Sequence, residues 1–378
     1  MPFSGTVLIA GAGIGGLALG CALQRAKVPF EIFERAPALR PAGAGIVMQT
    51  AAMLALREIG LDAAVERAGH TLARGLGRNA AGVQLSLARL DAFDAPSVAI
   101  HRARLQALLL AELDPQRVHT GKALASYEEA AAAVRISFSD GSSTSGALLV
   151  GCDGLNSVVR RQLLGDTPLR YSGYTSWRGV APAAGFGAAH EVVEIWGRGL
   201  RFGIVPIADN DTYWFAVANE TAGGSDVDSR ATVLERFTCF GEAARALVEA
   251  TPREQVLRTD IYDRQPVPSW SKGAITLLGD AAHPTTPNLG QGGCMAIEDA
   301  VVLAHYLSQA DRLSEALARY ERKRVAHTAK IVNASFQFGR IAQLDGRLST
   351  WFRDLALRLT PQSQIAARLR ENAAFSLE

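Results

Sequence analysis

One short run near the N-terminus constrains this chain more than any other. Thr6-Val7-Leu8-Ile9-Ala10 reads as an apolar strand, Leu17 to Ala26 as a helix and Phe30-Glu31-Ile32-Phe33 as a second strand. Together they form a βαβ unit of about thirty residues. Between the first strand and the helix stands Gly11-Ala12-Gly13-Ile14-Gly15-Gly16, a G-x-G-x-x-G turn. Gly11 permits the tight turn, Gly13 lets the backbone approach a pyrophosphate, and Gly16 lets the helix pack closely on the strand. The helix N-terminus adds free N–H groups and the positive end of its dipole. Glu34 stands eighteen residues after Gly16, at the end of the second strand, with Arg35 beside it. A carboxylate there accepts hydrogen bonds from both ribose hydroxyls and argues against a 2′-phosphate. This fingerprint specifies a dinucleotide but does not separate NAD from FAD.

The second half of the chain makes that choice. The apolar strand Ala274-Ile275-Thr276-Leu277-Leu278 opens onto Gly279-Asp280-Ala281-Ala282-His283-Pro284, which places an aspartate where it can hold the ribityl arm of FAD. Asn288-Leu289-Gly290-Gln291-Gly292-Gly293 follows, leading into a helix with Cys294, Ile297, Val301 and Ala304 at helical spacing and Glu298 and Asp299 in its first turn. Free amides at that helix start can stabilise the negative charge of a reduced flavin.

With these motifs, the sequence resembles the flavoprotein aromatic hydroxylases of the para-hydroxybenzoate hydroxylase superfamily over essentially its whole length. The family's central D-G motif is matched by Asp153-Gly154-Leu155-Asn156-Ser157-Val158-Val159-Arg160. The resemblance implies that Asp153 and Gly154 take part in FAD and NAD(P)H contacts, and that Arg102, in His101-Arg102-Ala103-Arg104-Leu105-Gln106, reaches the FAD pyrophosphate, with Gln106 in the same helix. It further implies backbone approach to FAD by Val47, Leu124 and residues Gly290, Gln291, Gly292, Gly293 and Cys294. The other reading of Asp153 is a turn residue before a helix capped by Asn156. The implied reaction uses non-covalent FAD, with NAD(P)H and O2 as co-substrates. Through a flavin C4a-hydroperoxide it hydroxylates a small aromatic or heteroaromatic substrate. Pro287 is expected as a backbone contact at the flavin's reactive face, while His283 is open to a structural or a catalytic role.

The implied fold is α/β. A Rossmann-like FAD-binding domain comprises 1–72, 98–165 and 273–330, an inserted sheet-rich substrate domain 73–97 and 166–272, and a C-terminal helical segment 331–378. The 378 residues, 48% hydrophobic, are enough for such a division. Within the FAD-binding part, residues 50–68 and His101 to Leu113 read as helices. Val134 to Phe138, the turn Asp140-Gly141 and Ala147 to Val150 read as a hairpin. In the middle domain, Arg201-Phe202-Gly203-Ile204-Val205-Pro206 and Tyr213-Trp214-Phe215-Ala216-Val217 flank the polar turn Ala208-Asp209-Asn210-Asp211 as another hairpin. Arg201 and Tyr213 are an even number of positions apart, so a suitable turn sets them on one face. The pair resembles the substrate-anchoring arginine and tyrosine of bacterial FAD-dependent urate hydroxylases. A surface charge and a core aromatic are the alternative roles. Trp177, Arg178, Trp214 and Phe215 are further pocket candidates, with sheet packing the expected role of the aromatics.

Several classes are excluded or set aside. The 39 basic and 37 acidic residues nearly balance, without a phosphate-backbone track, so nucleic acid is not an expected partner. Four separated cysteines form no C-x-x-C pair, which points to no metal and to a reducing, cytoplasmic setting. No window approaches the ~20 apolar residues needed to span a bilayer. No W-x-W-x-I-P halogenase signature is present. A flavin-dependent epoxidase and an NAD(P)H-dependent flavin oxidoreductase that inserts no oxygen are the remaining alternatives. Arg322-Lys323-Arg324 reads as a solvated helix face, with a homodimer contact as its other use.

Overall fold

A computed structural model describes residues 3, 5–39, 44–130, 133–182 and 190–377. Its organising element is a five-stranded, wholly parallel sheet in the order Ile275–Leu277, Leu148–Gly151, Val7–Ala10, Phe30–Phe33, Val118–His119. The first three of these strands are buried at every residue, as a parallel sheet covered on both faces requires. The helix Ile14–Arg25 packs against the sheet and also against the helix Gly292–Gln309. The glycine turn, the D-G motif and the G-D motif therefore leave the carboxyl ends of three neighbouring strands.

The second large element is a seven-stranded sheet ordered Leu257–Asp263, Arg170–Ala181, Thr212–Asn219, Leu200–Pro206, Glu191–Trp196, Arg74–Asn79, Gln84–Arg89. One of its faces carries Trp177, Phe202 and Trp214, which pack with Val233, Phe237, Phe240 and Leu247 of the helical segment behind it. The opposite face looks toward the strand Gly45–Met48, which pairs with Ser97–His101. A three-stranded antiparallel sheet, Leu124–Ala130, Ala133–Phe138 and Ser143–Gly146, flanks the parallel sheet. The helix Leu313–Ala342 runs unbroken across residue 330, and the helices Arg347–Leu359 and Gln362–Ala373 follow it.

Four expectations are corrected. The hairpin after Phe138 closes with the polar strand Ser143–Gly146, while Leu148–Gly151 continues into the parallel sheet beside Val7–Ala10. Four consecutive apolar residues suit a strand buried on both faces, whereas Ser and Thr suit a hairpin edge. Residues 50–68 form two helices, Thr50–Glu58 and Asp62–Ala68, separated at Gly60, whose φ of +76° ends the first. Glu298 and Asp299 lie beyond the first turn of their helix and are buried.

The fourth correction is Arg324, which leaves the basic run and enters the core at 4% exposure. Its Nε donates to Asp299 Oδ1 at 2.6 Å and its Nη1 to Glu298 Oε2 at 2.7 Å. His283 Nε2 meets the other Asp299 oxygen at 2.5 Å. Burial pushes the Asp299 carboxyl up, but His283 and Arg324 outweigh it and bring the carboxyl from its ordinary 3.8 down to about 2. At Glu298 burial wins over Arg324 and the carboxyl is raised.

A depressed carboxylate contributes stability that is complete above its ordinary pKa and is lost as pH falls through the folded one. For Asp299 that window runs from about 3.8 down to about 2. Arg324→Leu leaves two buried carboxylates facing one another and should cost about 3–5 kcal/mol at neutral pH. Urea unfolding at pH 7 and through the acid window checks both statements, and an unchanged midpoint at pH 7 contradicts the first.

Candidate active site

The glycine turn is assembled by backbone contacts that leave no room for side chains at two of its positions. A β-carbon on Gly11, whose φ is +106°, would lie 2.5 Å from the Cys152 carbonyl oxygen, and one on Gly16 would lie 2.0 Å from that of Gly11. Gly15 sits against Leu278 and Ala296, joining the turn to the G-D strand and to the helix Gly292–Gln309. Gly13 differs from all three, since a β-carbon there meets nothing within 4 Å. It is the N-cap residue of the helix that begins at Ile14 and has no side-chain cap. The first-turn amides thus face an open cradle of the kind a pyrophosphate occupies.

Polar groups converge on the same turn. Glu34 Oε2 accepts from the Ala12 amide at 2.9 Å and Oε1 from Ala36 at 2.9 Å, which fixes the carboxylate while leaving lone pairs for ribose hydroxyls. Gln106 Nε2 donates to the Ala12 carbonyl at 3.0 Å. Arg35 beside Glu34 is exposed, as is Arg102 at the start of the helix Arg102–Ala111, where His101 Nδ1 caps the Ala103 amide. Leu124 opens its strand half-buried against the main core.

The D-G motif sits one strand over. Asp153 Oδ2 accepts from the Val158 and Val159 amides at 2.7 and 3.3 Å, and burial raises this carboxyl despite those bonds. Asp153 Oδ1 is buried without a partner. Such an orphaned acceptor is costly unless a ligand donates to it. Gly154, at φ +77°, makes the turn, and the side-chain cap of the next helix is Ser157, whose Oγ accepts from the Arg160 amide at 2.8 Å. Asn156 is exposed and is not the cap. Arg160 is buried and donates to the carbonyls of Ala281 and Ala282 at 2.9 and 2.8 Å, tying D-G to G-D.

Asp280 lies in the turn Gly279–Ala281, and the Gly279 amide donates to Asp299 at 3.1 Å. Asp280 is exposed, yet the protein around its carboxyl raises it by desolvation, with His283 and Arg102 pulling the other way. His283 is buried and bonded to Asp299, which gives it a structural task, although its Nδ1 has no partner.

The glycine loop closes the site. Pro287 is exposed in the turn Pro287–Leu289, and Gly290 follows at φ +65°. The helix starting at Gly292 has no side-chain cap, and a β-carbon on Gly292 would be 3.8 Å from Asp280 Oδ1. Gly293 packs on Ile46, and the Cys294 thiol donates to the Val47 carbonyl at 3.4 Å; burial pushes that thiol up to about 12. Gln49 clamps the loop, donating to Leu289 O at 2.7 Å and accepting from Gln291 Nε2 at 2.6 Å. No sequence signal marked Gln49, because its partners are some 240 residues away.

The seven-stranded sheet presents its second face here. Val205 pairs with Tyr213 and Arg201 with Val217, so Arg201 and Tyr213 do share a face but lie four residues apart along it. That separation is roughly 13 Å. Arg201 is buried and engaged at every nitrogen: Nε to Gln343 at 2.8 Å, Nη1 to Glu194 at 3.1 Å and Nη2 to Asn288 at 2.7 Å. Tyr213 packs on the Gly45 backbone and its phenol is raised by burial, with Arg178 opposing. Arg178, opposite Phe215 on this face, has no ion pair among the described residues, and its Nε is buried without a partner. Trp177 and Trp214 point to the other face.

Comparison with known proteins agrees with this geometry. A family model described as an FAD binding domain matches residues 4–335. The chain is 45% identical to aurachin C monooxygenase/isomerase of Stigmatella aurantiaca over 376 residues, covering 98% of each protein. It is 32% identical to 2-heptyl-3-hydroxy-4(1H)-quinolone synthase of Pseudomonas aeruginosa over 364 residues, covering 95% of each. Among solved structures, Klebsiella pneumoniae HpxO complexed with FAD and uric acid superposes with a TM-score of 0.91 at 28% identity, covering 97% of this chain and 96% of that one.

The contrast between two glycines is directly testable. Gly13→Val adds a side chain in open space, so the protein should fold with a normal circular dichroism spectrum but purify colourless, without bound FAD. Gly16→Val places atoms inside the Gly11 carbonyl and should abolish soluble expression. A yellow, flavin-loaded Gly13→Val protein rules out Gly13 as the cradle.

Proposed function

The chain belongs to the FAD-binding-domain family of flavoprotein monooxygenases, and from that premise we propose that it hydroxylates an alkyl-substituted, quinolone-class heteroaromatic ring anchored by Arg178. It is an FAD-dependent monooxygenase using NAD(P)H and O2 on an aromatic or heteroaromatic substrate. Bound FAD, reduced by NAD(P)H, supplies the oxygen-activating chemistry. The chain's own residues do the rest. Gly13 and the helix N-terminus receive the pyrophosphate, Glu34 the ribose and Asp280 the ribityl arm. The uncapped amides at Gly292 and Gly293 would stand at the flavin ring and would stabilise negative charge there. The free Asp153 oxygen would accept a further donor from the bound cofactor, and the Pro287 backbone would border it.

The observation that carries the substrate reading is the polarity of the sheet face. Val180, Val205 and Phe215 surround Tyr213 and Arg178, and the strand bearing Val47 covers them. A half-buried guanidinium with no ion pair among the described residues favours an electron-rich ligand oxygen such as a vinylogous-amide carbonyl, and the apolar neighbours favour a hydrocarbon substituent over a second polar edge. A 2-heptyl-quinolone, the ring system named in one relative, offers both. Urate needs polar partners around most of its rim. The Arg201 guanidinium, already held by Gln343, Glu194 and Asn288, acts as a positioning group for the Pro287–Leu289 turn. Apolar residues around the ring also exclude water from the reacting centre.

Stimulation of NADH and NADPH oxidation by 2-alkyl-4-quinolones and by urate, followed by product mass under labelled O2, tests this reading. The expected result is preference for the alkylquinolone with one labelled oxygen in the product. Arg178→Ala should retain FAD and raise KM about ten- to a hundredfold, the loss of one charge-assisted hydrogen bond. Preference for urate, or an unchanged KM in the variant, overturns it.

A further inference from the structure

The helix Arg347–Leu359 is built inside out. Its protein-facing side carries Thr350 and Arg353, at 7% and 5% exposure. Arg353 donates to the carbonyls of Ala342 and Gly197 at 3.0 and 3.1 Å and lies over the Trp196 ring. The solvent side carries Leu348, Trp351, Phe352 and Leu359, which are 75%, 58%, 61% and 70% exposed. With half-buried Leu355 these residues recur at three- and four-residue spacing, so they form one continuous stripe on the face opposite Arg353. The Trp351 and Phe352 rings touch edge to face at 4.9 Å. Single exposed apolar residues are ordinary, but a contiguous aromatic and leucine stripe marks a surface that is covered by something.

The charges beside the stripe identify what covers it. Arg347 and Arg358 flank it on one side, both exposed and neither ion-paired among the described residues. The only carboxylate on the helix is Asp354, which already accepts from Arg353 at 2.9 Å and from Asn79 at 3.3 Å. A second copy fits poorly, because a two-fold antiparallel contact through this stripe sets Arg347 of each copy against Arg358 of the other. The stripe wants an apolar layer with an anionic rim. We propose that the helix Arg347–Leu359 docks the protein onto an anionic lipid surface, lying in the interfacial plane with Trp351, Phe352 and the leucines in the acyl boundary and both arginines at headgroup phosphates. The helix does not span the bilayer; no helix among the described residues is long and apolar enough to do so. Docking of this kind is independent of which ring the enzyme hydroxylates.

The test uses the FAD-loaded protein and two vesicle preparations, phosphatidylcholine alone and phosphatidylcholine with about one-third phosphatidylglycerol. Co-sedimentation should occur with the anionic vesicles and be weak with the neutral ones. Of the five tryptophans, Trp177, Trp196, Trp214 and Trp270 are at most 5% exposed, so a blue shift on binding reports Trp351. The pair Leu348→Ser and Phe352→Ser should reduce vesicle partition at least roughly tenfold while leaving bound FAD and substrate-stimulated NAD(P)H oxidation intact. Arg347→Glu with Arg358→Glu should abolish the preference for phosphatidylglycerol. The proposal fails if neither vesicle binds or if the serine variants bind as before. It fails equally if light scattering shows a dimer that those variants dissociate, since the stripe then belongs to a second copy.

Discussion

At Gly11 and Gly16 the chain passes so close to other backbone that a β-carbon would lie 2.5 and 2.0 Å from a carbonyl oxygen. That contact brings the first helix onto the first strand and sets the end of Val7–Ala10 against Cys152, at the end of the neighbouring strand. Because Leu148–Gly151 and Ile275–Leu277 lie next in order, the D-G and G-D turns emerge beside the glycine turn. The three turns lie at residues 11, 153 and 280, far apart in sequence, yet register alone gathers them. A parallel sheet can do this because all its carboxyl ends share one edge, where the backbone is free to meet a ligand.

The buried charges around Asp299 hold the second half of that edge in place. Asp299 receives the Gly279 amide, His283 and Arg324, so one carboxylate joins the G-D turn to the helix Gly292–Gln309 and to the long helix Leu313–Ala342. A buried ionic cluster adds little net stability over an apolar replacement, but it tolerates only one arrangement of its members. Arg160 acts similarly from the other side, spending two donors on the carbonyls after Asp280. Placement of the Asp280 carboxylate therefore depends on Asp299 and Arg160, which hold the backbone on either side of it.

How much of this was legible follows from the range of each signal. The βαβ unit, the close backbone approaches at Gly11 and Gly16 and the parity of Arg201 and Tyr213 depend on neighbours or on strand alternation, and they are readable in the sequence. The engagement of Arg201 was not, because Gln343 and Asn288 lie 142 and 87 residues away and nothing local distinguishes a free guanidinium from a bound one. Arg324 was misjudged for a related reason. A basic triplet has a solvated average, but helical spacing turns its third member inward while Arg322 stays exposed. Leu148–Gly151 was assigned to a hairpin because the Asp140-Gly141 turn is a strong local signal, and only the sheet order shows that the hairpin closes earlier.

Two places break the rule that charge faces water and hydrocarbon faces the core. Arg178, with no ion pair among the described residues and its Nε without a partner, lies against Val180, Phe215 and Tyr213, and the helix Arg347–Leu359 buries an arginine while displaying leucines and aromatics. Each arrangement is unfavourable in the isolated chain, the first through desolvation and the second through exposed apolar area. Arg353 shows how the protein satisfies an inward arginine, with two carbonyls, the Asp354 carboxylate and a tryptophan face. Arg178 Nε has no such partner among the described residues, although Thr, Ser and Tyr side chains occupy the same sheet. The deficit at Arg178 is local and concave, which suits a small ligand, and that along the helix is extended and convex, which suits a surface. Both point outside the chain for their partner, and both partners join hydrocarbon to an electron-rich oxygen.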